Sequence, residues 1–277
     1  MRMRVGLAVL AALCCLGAGP SWAAPARNMV QGAGPGMAAA GHWRLSARTA
    51  WQARENFQDT VEFSSESGVP GSEAATSMKL NNDRLHMATL GYGLHRRLTV
   101  FAQAGLAEGG VLAETLSNGQ WEARLKPVFV WGLGARGLVW EDPRGLGLTV
   151  GLSYLRWDDR GIDHWHSTNG WTTDQGGVAV EGKVDYWRVE GNALAHWRLG
   201  PLLPYLGLGY AYSELKDEDH WDRPDGSWAI YSFSSKGQDN WGLLAGVEAD
   251  LGRGLGLVLS GAIFSRQEVG LSLTWGF

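Results

Sequence analysis

The chain has 277 residues, with 24 basic and 28 acidic side chains, 40 glycines, 15 tryptophans and two cysteines. Its formal charge of −4 lacks the excess of basic residues that is typical of a nucleic-acid-binding protein. Both cysteines lie in the first 23 residues, which excludes disulfides, a thiolate nucleophile and cysteine metal ligands from the rest of the chain.

Residues 1–23 have the features of a secretory signal peptide. Arg2 and Arg4 precede an apolar run that extends from 5 to 16, and Ser21-Trp22-Ala23 resembles a cleavage site. The apolar run is shorter than the roughly 20 residues that a membrane-spanning helix requires. We predict cleavage after Ala23, which leaves 22 basic and 28 acidic residues and a formal charge of −6.

The segment 24–41 is rich in alanine and glycine, and we predict that it is a flexible lead-in. A first strand follows at 42–57, in which Trp43, Leu45 and Trp51 alternate with polar or charged residues. This period of two predicts a β-strand with one apolar face and one polar face.

The same alternation recurs to the end of the chain and predicts nine further strands. Short turns and longer polar connections join them in nearly regular alternation. We predict that the longer connections, 58–83, 107–120, 158–183 and 214–237, are loops. The further strands are predicted at 85–94, 98–106, 121–140, 146–157, 184–197, 204–213, 239–251, 255–264 and 268–277.

An even number of strands, with tight turns at one end and long loops at the other, is typical of bacterial outer-membrane barrels. No apolar run after the leader is long enough for a membrane-spanning helix, so a membrane location requires a closed barrel. We therefore predict an all-β fold for 42–277, a transmembrane antiparallel up-and-down β-barrel of ten strands, with eight possible. Both termini and every tight turn are expected on the periplasmic side.

Tryptophans give an independent indication, because indole rings prefer the two membrane–water interfaces. Trp131 and Trp140 are an odd number of residues apart, so their strand needs a bulge unless one of them faces inward. The topology predicts a periplasmic group, Trp43, Trp140, Trp197 and Trp275, and an outer group, Trp51, Trp131, Trp187 and Trp241.

The chain ends on EVGLSLTWGF, residues 268–277, in which every second residue is apolar up to Phe277. Together with RLTVFAQAGLAEG (97–109) and PYLGLGYAYS (204–213), this ending resembles the small opacity-type barrel superfamily of Gram-negative outer-membrane proteins. The resemblance covers 42–277 and implies the barrel fold, the cell outer membrane and assembly through the last strand. Members of the superfamily have structural, adhesive and transport roles, so the resemblance implies no single activity.

The polar faces of the strands are expected to line the barrel interior, and they carry several charges. We expect these charges to pair with one another, because an unpaired charge is costly away from water. Ten strands are close to the eight whose interior side chains can fill, which favours a plugged lumen over a narrow channel. The residues are Arg44, Arg48, Arg136, Arg188, Glu190, Glu248 and Asp250.

Two predicted outer loops, 158–182 and 214–237, combine histidine, aspartate and tryptophan. Their His and Asp residues could form a metal site or a hydrolytic pair. The alternative is that they are solvated loop residues without a catalytic role. The omptin proteases, ten-stranded barrels with Asp–His groups at the outer rim, are similar in kind, although their motifs do not align with this chain. Exposed tryptophans suggest contact with a partner, a sugar or lipopolysaccharide, or packing at the rim. The residues are Asp163, His164, Trp165, His166, Trp171, Asp219, His220, Trp221, Asp222 and Trp228.

Gly132, Gly134 and Gly137 formally match a dinucleotide-binding fingerprint. That motif requires a helix directly after it, whereas here the glycines fall inside a predicted strand. We interpret them instead as positions that leave room for large neighbours in the lumen.

These patterns favour an integral outer-membrane barrel with a structural or surface-interaction role through its extracellular loops. A narrow channel for small solutes and an omptin-like rim hydrolase are the alternatives. No residue is assigned as catalytic, cofactor-binding or metal-binding, and no cofactor or nucleic acid is expected. The expected partners are outer-membrane lipid, lipopolysaccharide, the barrel-assembly machinery through Phe277, and an extracellular ligand at 158–182 and 214–237.

Overall fold

The computed structural model describes residues 35–277 except for 67–68, 74–76, 117–118, 168–169, 171, 174, 239 and 265. The predicted signal peptide, 1–23, and the lead-in up to residue 34 lie outside the described residues. Within the described ranges, no helix has the length and hydrophobicity needed to cross a membrane.

Antiparallel strands form almost all of the described chain. They are β1 Trp43–Glu66, β2 Val69–Glu73, β3 Ser77–His95, β4 Leu98–Leu116, β5 Gly119–Leu125, β6 Val128–Glu141, β7 Leu146–Ser167, β8 Ala179–Trp197, β9 Leu202–Asp222, β10 Trp228–Gly237, β11 Trp241–Gly252, β12 Leu255–Phe264 and β13 Arg266–Gly276.

Ten of these strands close into one ring, which we call the lower barrel. β1 pairs with β3 on one side, where Leu45 lies opposite Leu90, and with β13 on the other, where Leu45 lies opposite Trp275. The order around the ring is β1, β3, β4, β6, β7, β8, β9, β11, β12 and β13. The predicted ten-stranded antiparallel barrel is therefore confirmed.

Beyond the lower barrel, the longer strands continue into a second and narrower ring, which we call the upper barrel. Here β5 lies between β4 and β7, and β10 lies between β9 and β1. The four strands β6, β11, β12 and β13 are replaced by these two, so this ring has eight strands. The turns at 96–97, 142–145, 198–201 and 253–254 lie at the opposite end, where Trp43 and Phe277 exchange backbone hydrogen bonds.

The upper barrel corrects the prediction of long loops, because strands occupy most of 58–83, 107–120, 158–183 and 214–237. Six strands belong to both rings. In four of them, the residues that face inward change between even-numbered and odd-numbered positions where the two rings meet. In β3, for example, the buried positions change from even to odd at Asn82, which has a φ of 56°. Such an irregularity interrupts the period of two that predicts a strand.

The predicted strand 121–140 is also wrong, because it is two strands. β5 ends at Leu125 and β6 begins at Val128, with Lys126 and Pro127 between them. β5 belongs only to the upper barrel and β6 only to the lower one. Proline carries no N–H donor for a strand ladder, which is consistent with a break at this position.

The two barrels expose opposite chemistry. In β9, Leu206 and Leu208 point outward from the lower barrel and are more than half exposed, at 55% and 56%. Farther along the same strand Lys216 and Glu218 point outward, while Leu215 is buried inside. An apolar outer face suits lipid and a charged outer face suits water. We call the exposed apolar surface of the lower barrel the apolar belt.

Tryptophans lie at both edges of the apolar belt, as predicted. Trp43 and Trp197 are exposed near the turn end, and Trp51 and Trp241 are exposed toward the upper barrel. The register between β6 and β7 shifts between Leu138 and Trp140, and both Trp131 and Trp140 face outward. Of the two alternatives, a bulge or an inward-facing tryptophan, the structure shows the bulge.

A buried ion pair occupies the junction at which β5 is replaced by β6. The Arg160 guanidinium donates to both carboxylate oxygens of Asp83, each at 2.9 Å, and both side chains are fully buried. Arg160 also donates to the carbonyl oxygens of Lys126 and Gly109, at 2.9 and 3.0 Å. One side chain thus connects β7 to β3, to β4 and to the end of β5.

A second buried carboxylate lies near the junction at which β10 is replaced by β11. Glu55 accepts hydrogen bonds from the hydroxyl groups of Tyr186, at 3.0 Å, and Ser213, at 2.8 Å. The side-chain amide of Gln52 donates to the same carboxylate at 2.9 Å. Polar hydrogen-bonded groups therefore stabilise both places at which the number of strands changes.

We predict that breaking the Asp83–Arg160 pair destabilises the barrel. Asp83→Ala or Arg160→Met leaves the other charge buried and unpaired, which should lower the free energy of unfolding by about 3–5 kcal/mol. The measurement is the urea midpoint of the refolded chain, followed by tryptophan fluorescence. The double variant should recover much of the loss, because replacing both partners removes the unpaired charge. Single variants with the wild-type midpoint would contradict this role.

Candidate functional site in the barrel lumen

The last residues of the lead-in, 35–41, lie inside the lower end of the lumen. The Gly36 N–H donates to Glu248 at 3.1 Å, and the Ala38 N–H donates to the Thr99 hydroxyl at 3.0 Å. Met37 and Ala38 are buried. This end of the predicted lead-in is therefore hydrogen-bonded to the inner wall of the barrel.

A network of charged side chains lines a cavity of about 220 Å³ above this segment. Glu190 lies between two arginines, 3.5 Å from Arg188 and 2.7 Å from Arg266. Glu268 lies 2.9 Å from the Nε atom of Arg266 and also accepts from Arg48. These contacts confirm the expected pairing for Arg48, Arg188 and Glu190.

Two members of this network, Arg266 and Glu268, are absent from the predicted set of lumen charges. Arg266 falls between the predicted strands 255–264 and 268–277, whereas it is the first residue of β13. Glu268 is the first residue of the predicted last strand. It shares the inward phase with Ser272 and Thr274, and this alternation was the signal that could have identified it.

The remaining predicted lumen charges differ in their partners. Arg44 donates to Glu248 at 2.7 Å, and the Asp250 carboxylate accepts from the backbone N–H of Gly252 at 2.8 Å. Arg136 forms no ion pair with any carboxylate in the part of the chain that the structure describes. The Arg136 guanidinium instead lies 5.2 Å from the centre of the Phe101 ring.

Gly132 and Gly134 leave space for large side chains, as predicted, whereas the nearest atom to a Cβ on Gly137 would be 3.7 Å away, which is ordinary contact. A Cβ atom on Gly134 would lie 2.4 Å from the Phe101 ring, and one on Gly132 would lie 2.7 Å from the Gln103 amide. β6 continues to Glu141 and is followed by β7, so the glycines do not open a helix. The dinucleotide-binding motif lacks its required context.

An apolar core fills the upper barrel. The Trp157 and Tyr186 rings stack with their centres 4.1 Å apart, and Phe57 meets Tyr186 edge-on. An eight-stranded barrel is just wide enough for side chains to fill, which explains why this part of the lumen is occupied. Further buried members of the core are Met78, Leu80, Leu112, Leu125, Ile162, Val184, Leu215 and Phe233.

Acidic side chains lie within this apolar surrounding. Asp217 is 3% exposed and shares the inward face of β9 with Asp219, which accepts a hydrogen bond from the Trp165 indole. Burial, followed by the charges of Asp219 and Glu114, raises the pKa of the Asp217 carboxyl well above its usual value. At neutral pH this group therefore favours its protonated form more strongly than an exposed aspartate does.

The structure corrects the prediction that the loop tryptophans are exposed. Trp165 is buried, and Trp221 packs against the apolar core. Trp228 is half-buried and stacks on the His220 ring at 6.1 Å. Trp171 lies outside the described residues. Polar residues next to Trp165 and Trp221 in the sequence, such as His166 and His220, occupy the outward face of the same strands.

The three predicted rim histidines do not converge on one position, although the His164 and His166 rings lie 6.1 Å apart. His166 is in β7 and His220 is in β9, with β8 between them, while Asp219 is buried inside. Among the described residues, no group of three His, Asp or Glu side chains is arranged to hold a metal ion. Each histidine instead has a nearby carboxylate, in the pairs His164–Asp163 at 3.6 Å, His166–Glu122 at 3.1 Å and His220–Asp222 at 3.1 Å.

The closed ten-stranded ring, the apolar belt around it and the aromatic residues at the belt's edges define an outer-membrane-type β-barrel. No protein-family model and no curated protein sequence matches the chain.

Three solved structures illustrate what the fold is similar to. The outer-membrane protein OprG from Pseudomonas aeruginosa is 12% identical, with a TM-score of 0.47 over 86% of this chain and 97% of that one. The outer-membrane protease OmpT from Escherichia coli is 14% identical, with a TM-score of 0.48 over 84% and 97%. The translocator domain of the autotransporter NalP from Neisseria meningitidis is 14% identical, with a TM-score of 0.42 over 85% and 88%. The sequence identities and TM-scores of these three matches are too low to assign the chain to a family.

We predict that Asp217 makes the stability of the barrel depend on pH. Because its folded pKa is raised, its contribution to stability is fully present below the unfolded pKa of about 4 and is lost as the pH rises. Asp217→Asn should therefore raise the urea midpoint at neutral pH and flatten its decline between pH 4 and pH 9. The exposed Asp163→Asn is the matched control and should change neither. Equal midpoint–pH curves for Asp217→Asn and the wild type would contradict the prediction.

Proposed function

We propose that the chain is an integral outer-membrane protein of Gram-negative bacteria with a closed lumen and a structural or surface-interaction role. The observation that carries this proposal is the apolar core of the upper barrel, which fills the part of the lumen that an open pore would need. The upper barrel would then project from the membrane as a rigid, water-exposed body.

Several features support the location. The apolar belt fits a lipid environment, and β12 and β13, with 10 and 11 residues, have the length of membrane-crossing strands. The predicted signal peptide supports export, and its cleavage forms part of the proposal. The last strand, with Phe277 at its end, is the segment that the barrel-assembly machinery would recognise.

Closure of the lumen is supported at three heights. Residues 35–41 occupy the lower mouth, the Arg–Glu network crosses the middle, and the apolar core fills the upper barrel. A narrow channel would need a continuous polar path past Trp157 and Tyr186, whose stacked rings are both buried. The geometry therefore favours the closed barrel over the channel.

The outer surface of the upper barrel supports a surface-interaction role. The segments 158–182 and 214–237, which we expect to contact an extracellular ligand, are largely strands of this wall. Charged side chains of both signs cover it. Lys183 pairs with Asp159 at 3.4 Å and Lys216 pairs with Glu214 at 3.2 Å, and the two lysine side chains remain 69% and 61% exposed. Cationic groups just beyond the apolar belt suit the phosphates of lipopolysaccharide, which we retain as the proposed partner.

A rim hydrolase has less support. Its His and Asp residues would have to converge on one substrate position, with an acid or base within hydrogen-bond reach of the reacting group. His166 and His220 are instead held in separate pairs on different strands.

We predict that the purified protein does not conduct ions in a planar lipid bilayer. A chain that starts at His42, and so lacks the segment at the lower mouth, should also be silent because the apolar core remains. Steady single-channel currents from the wild type would contradict the closed lumen. Currents from the shortened chain alone would show that residues before His42, and not the core, close the barrel.

We predict that the upper barrel faces the cell exterior. The chain has no cysteine after residue 15, so single cysteines can report its orientation. A membrane-impermeant maleimide should label Lys183→Cys on intact cells. The matched variant Arg144→Cys, in an exposed turn at the opposite end, should react only after the outer membrane is permeabilised. The reverse pattern, or equal labelling on intact cells, would overturn the proposed orientation.

A further inference from the structure

The cavity of about 220 Å³ inside the lower barrel has more positive than negative groups around it. The surplus remains when the buried Glu55 beside the cavity is counted, because four carboxylates then face five guanidinium groups. The arginines are Arg44, Arg48, Arg136, Arg188 and Arg266, and the carboxylates are Glu55, Glu190, Glu248 and Glu268.

The ion pairs identify which guanidinium is in surplus. Arg44, Arg48, Arg188 and Arg266 each lie within 4.0 Å of a glutamate. Arg136 has no such contact among the described residues, and its polar neighbour is the carbonyl oxygen of Pro35, at 3.5 Å. Arg48, Arg188 and Arg266 share Glu190 and Glu268, so Arg136 is the one guanidinium lining the cavity that lacks a carboxylate partner among the described residues.

The segment before the first strand cannot neutralise Arg136. Residues 1–54 contain neither aspartate nor glutamate, so the first acidic side chain of the sequence is Glu55. Glu248 is already paired with Arg44 and accepts from the Gly36 N–H. An unpaired guanidinium inside a membrane-spanning barrel is costly, and a counter-ion removes most of that cost.

We propose that the lumen cavity binds a small oxyanion, of the phosphate or carboxylate type, at Arg136. The planar guanidinium offers paired N–H donors that match the two oxygens of such an anion. Gln103, Asn192 and Tyr205 line the same cavity and supply neutral hydrogen-bonding groups. The cavity volume is several times the roughly 30 Å³ share of one water molecule, which leaves room for a phosphate ion.

The position of the site is consistent with the glycine at position 36. Gly36 has a φ of 71°, and a Cβ atom there would overlap the Arg136 guanidinium. The chain thus passes directly against Arg136, with a backbone carbonyl and no side chain at the point of contact. The other four arginines already have carboxylate partners, so a bound oxyanion would neutralise Arg136 without disturbing their pairing.

The test refolds the full chain from urea into detergent in a low-salt chloride buffer, so that any anion acquired during expression is lost. The urea midpoint is then measured with rising inorganic phosphate, with acetate, and with chloride at the same ionic strength. The variants are Arg136→Gln, which removes the charge, and Arg136→Lys, which keeps the charge but loses the paired donors. Arg144→Gln, in an exposed turn, is the matched control.

We expect phosphate or acetate to raise the midpoint of the wild type and of Arg144→Gln more than chloride does. Arg136→Gln should bind the oxyanion roughly 10- to 100-fold more weakly, the loss expected for a charge-assisted hydrogen-bond pair. Without added oxyanion, Arg136→Gln should be at least as stable as the wild type, because it removes an unpaired charge.

Three results would overturn the proposal. One is a wild-type midpoint that does not change with either oxyanion, and another is an equal response in Arg136→Gln. The third is a response to chloride as large as that to phosphate, which would indicate ionic strength alone. If Arg136→Gln fails to refold, the weaker binding expected of Arg136→Lys decides the question in the same assay.

Discussion

Closure of the backbone hydrogen-bond ladder is the constraint on which the rest of this structure depends. In hydrocarbon every N–H and C=O group must find a partner within the protein, and the ten-stranded ring provides one for each strand. Above the apolar belt, water can form hydrogen bonds with backbone groups that have no partner in the protein, and the ring narrows to eight strands. Where the number of strands decreases, some strands end within the barrel wall. The buried Asp83–Arg160 pair and Glu55 form hydrogen bonds at these two places.

The narrowing also determines what fills the lumen. Ten strands leave a space that charged side chains and a cavity occupy, whereas eight strands bring apolar side chains into contact. The inner and outer faces therefore exchange their chemistry along one strand. In β9 the outward residues change from Leu208 to Lys216, and the inward residues change from Gly209 to Leu215. Odd-numbered residues face inward along the whole strand. The upper barrel thus has the inside and outside of a water-soluble barrel.

The sequence predicts the lower barrel well because, along all of its strands, apolar residues face outward and polar residues face inward. It predicts the upper barrel poorly for two physical reasons. First, irregularities at Asn82 and Asp159 interrupt the period of two. Second, beyond residue 213 of β9 the outward residues are polar. A strand prediction that requires an apolar outer face therefore stops at that residue. The phase of the alternation identifies the lumen charges of β1, β6, β8 and β11, whereas Arg160 lies in a segment predicted as a loop and Arg266 lies between two predicted strands.

The strand content of the upper barrel changes how a surface role should be understood. A long loop can be shortened without loss of the fold, but 158–182 and 214–237 contribute wall strands and core residues such as Trp165 and Leu215. Removing either segment would open the eight-stranded ring and expose the apolar core to water. Any recognition by this part of the molecule therefore depends on outward side chains held at fixed spacings by the sheet. Substitution of those side chains, and not deletion of the segments, separates a loss of binding from a loss of the fold.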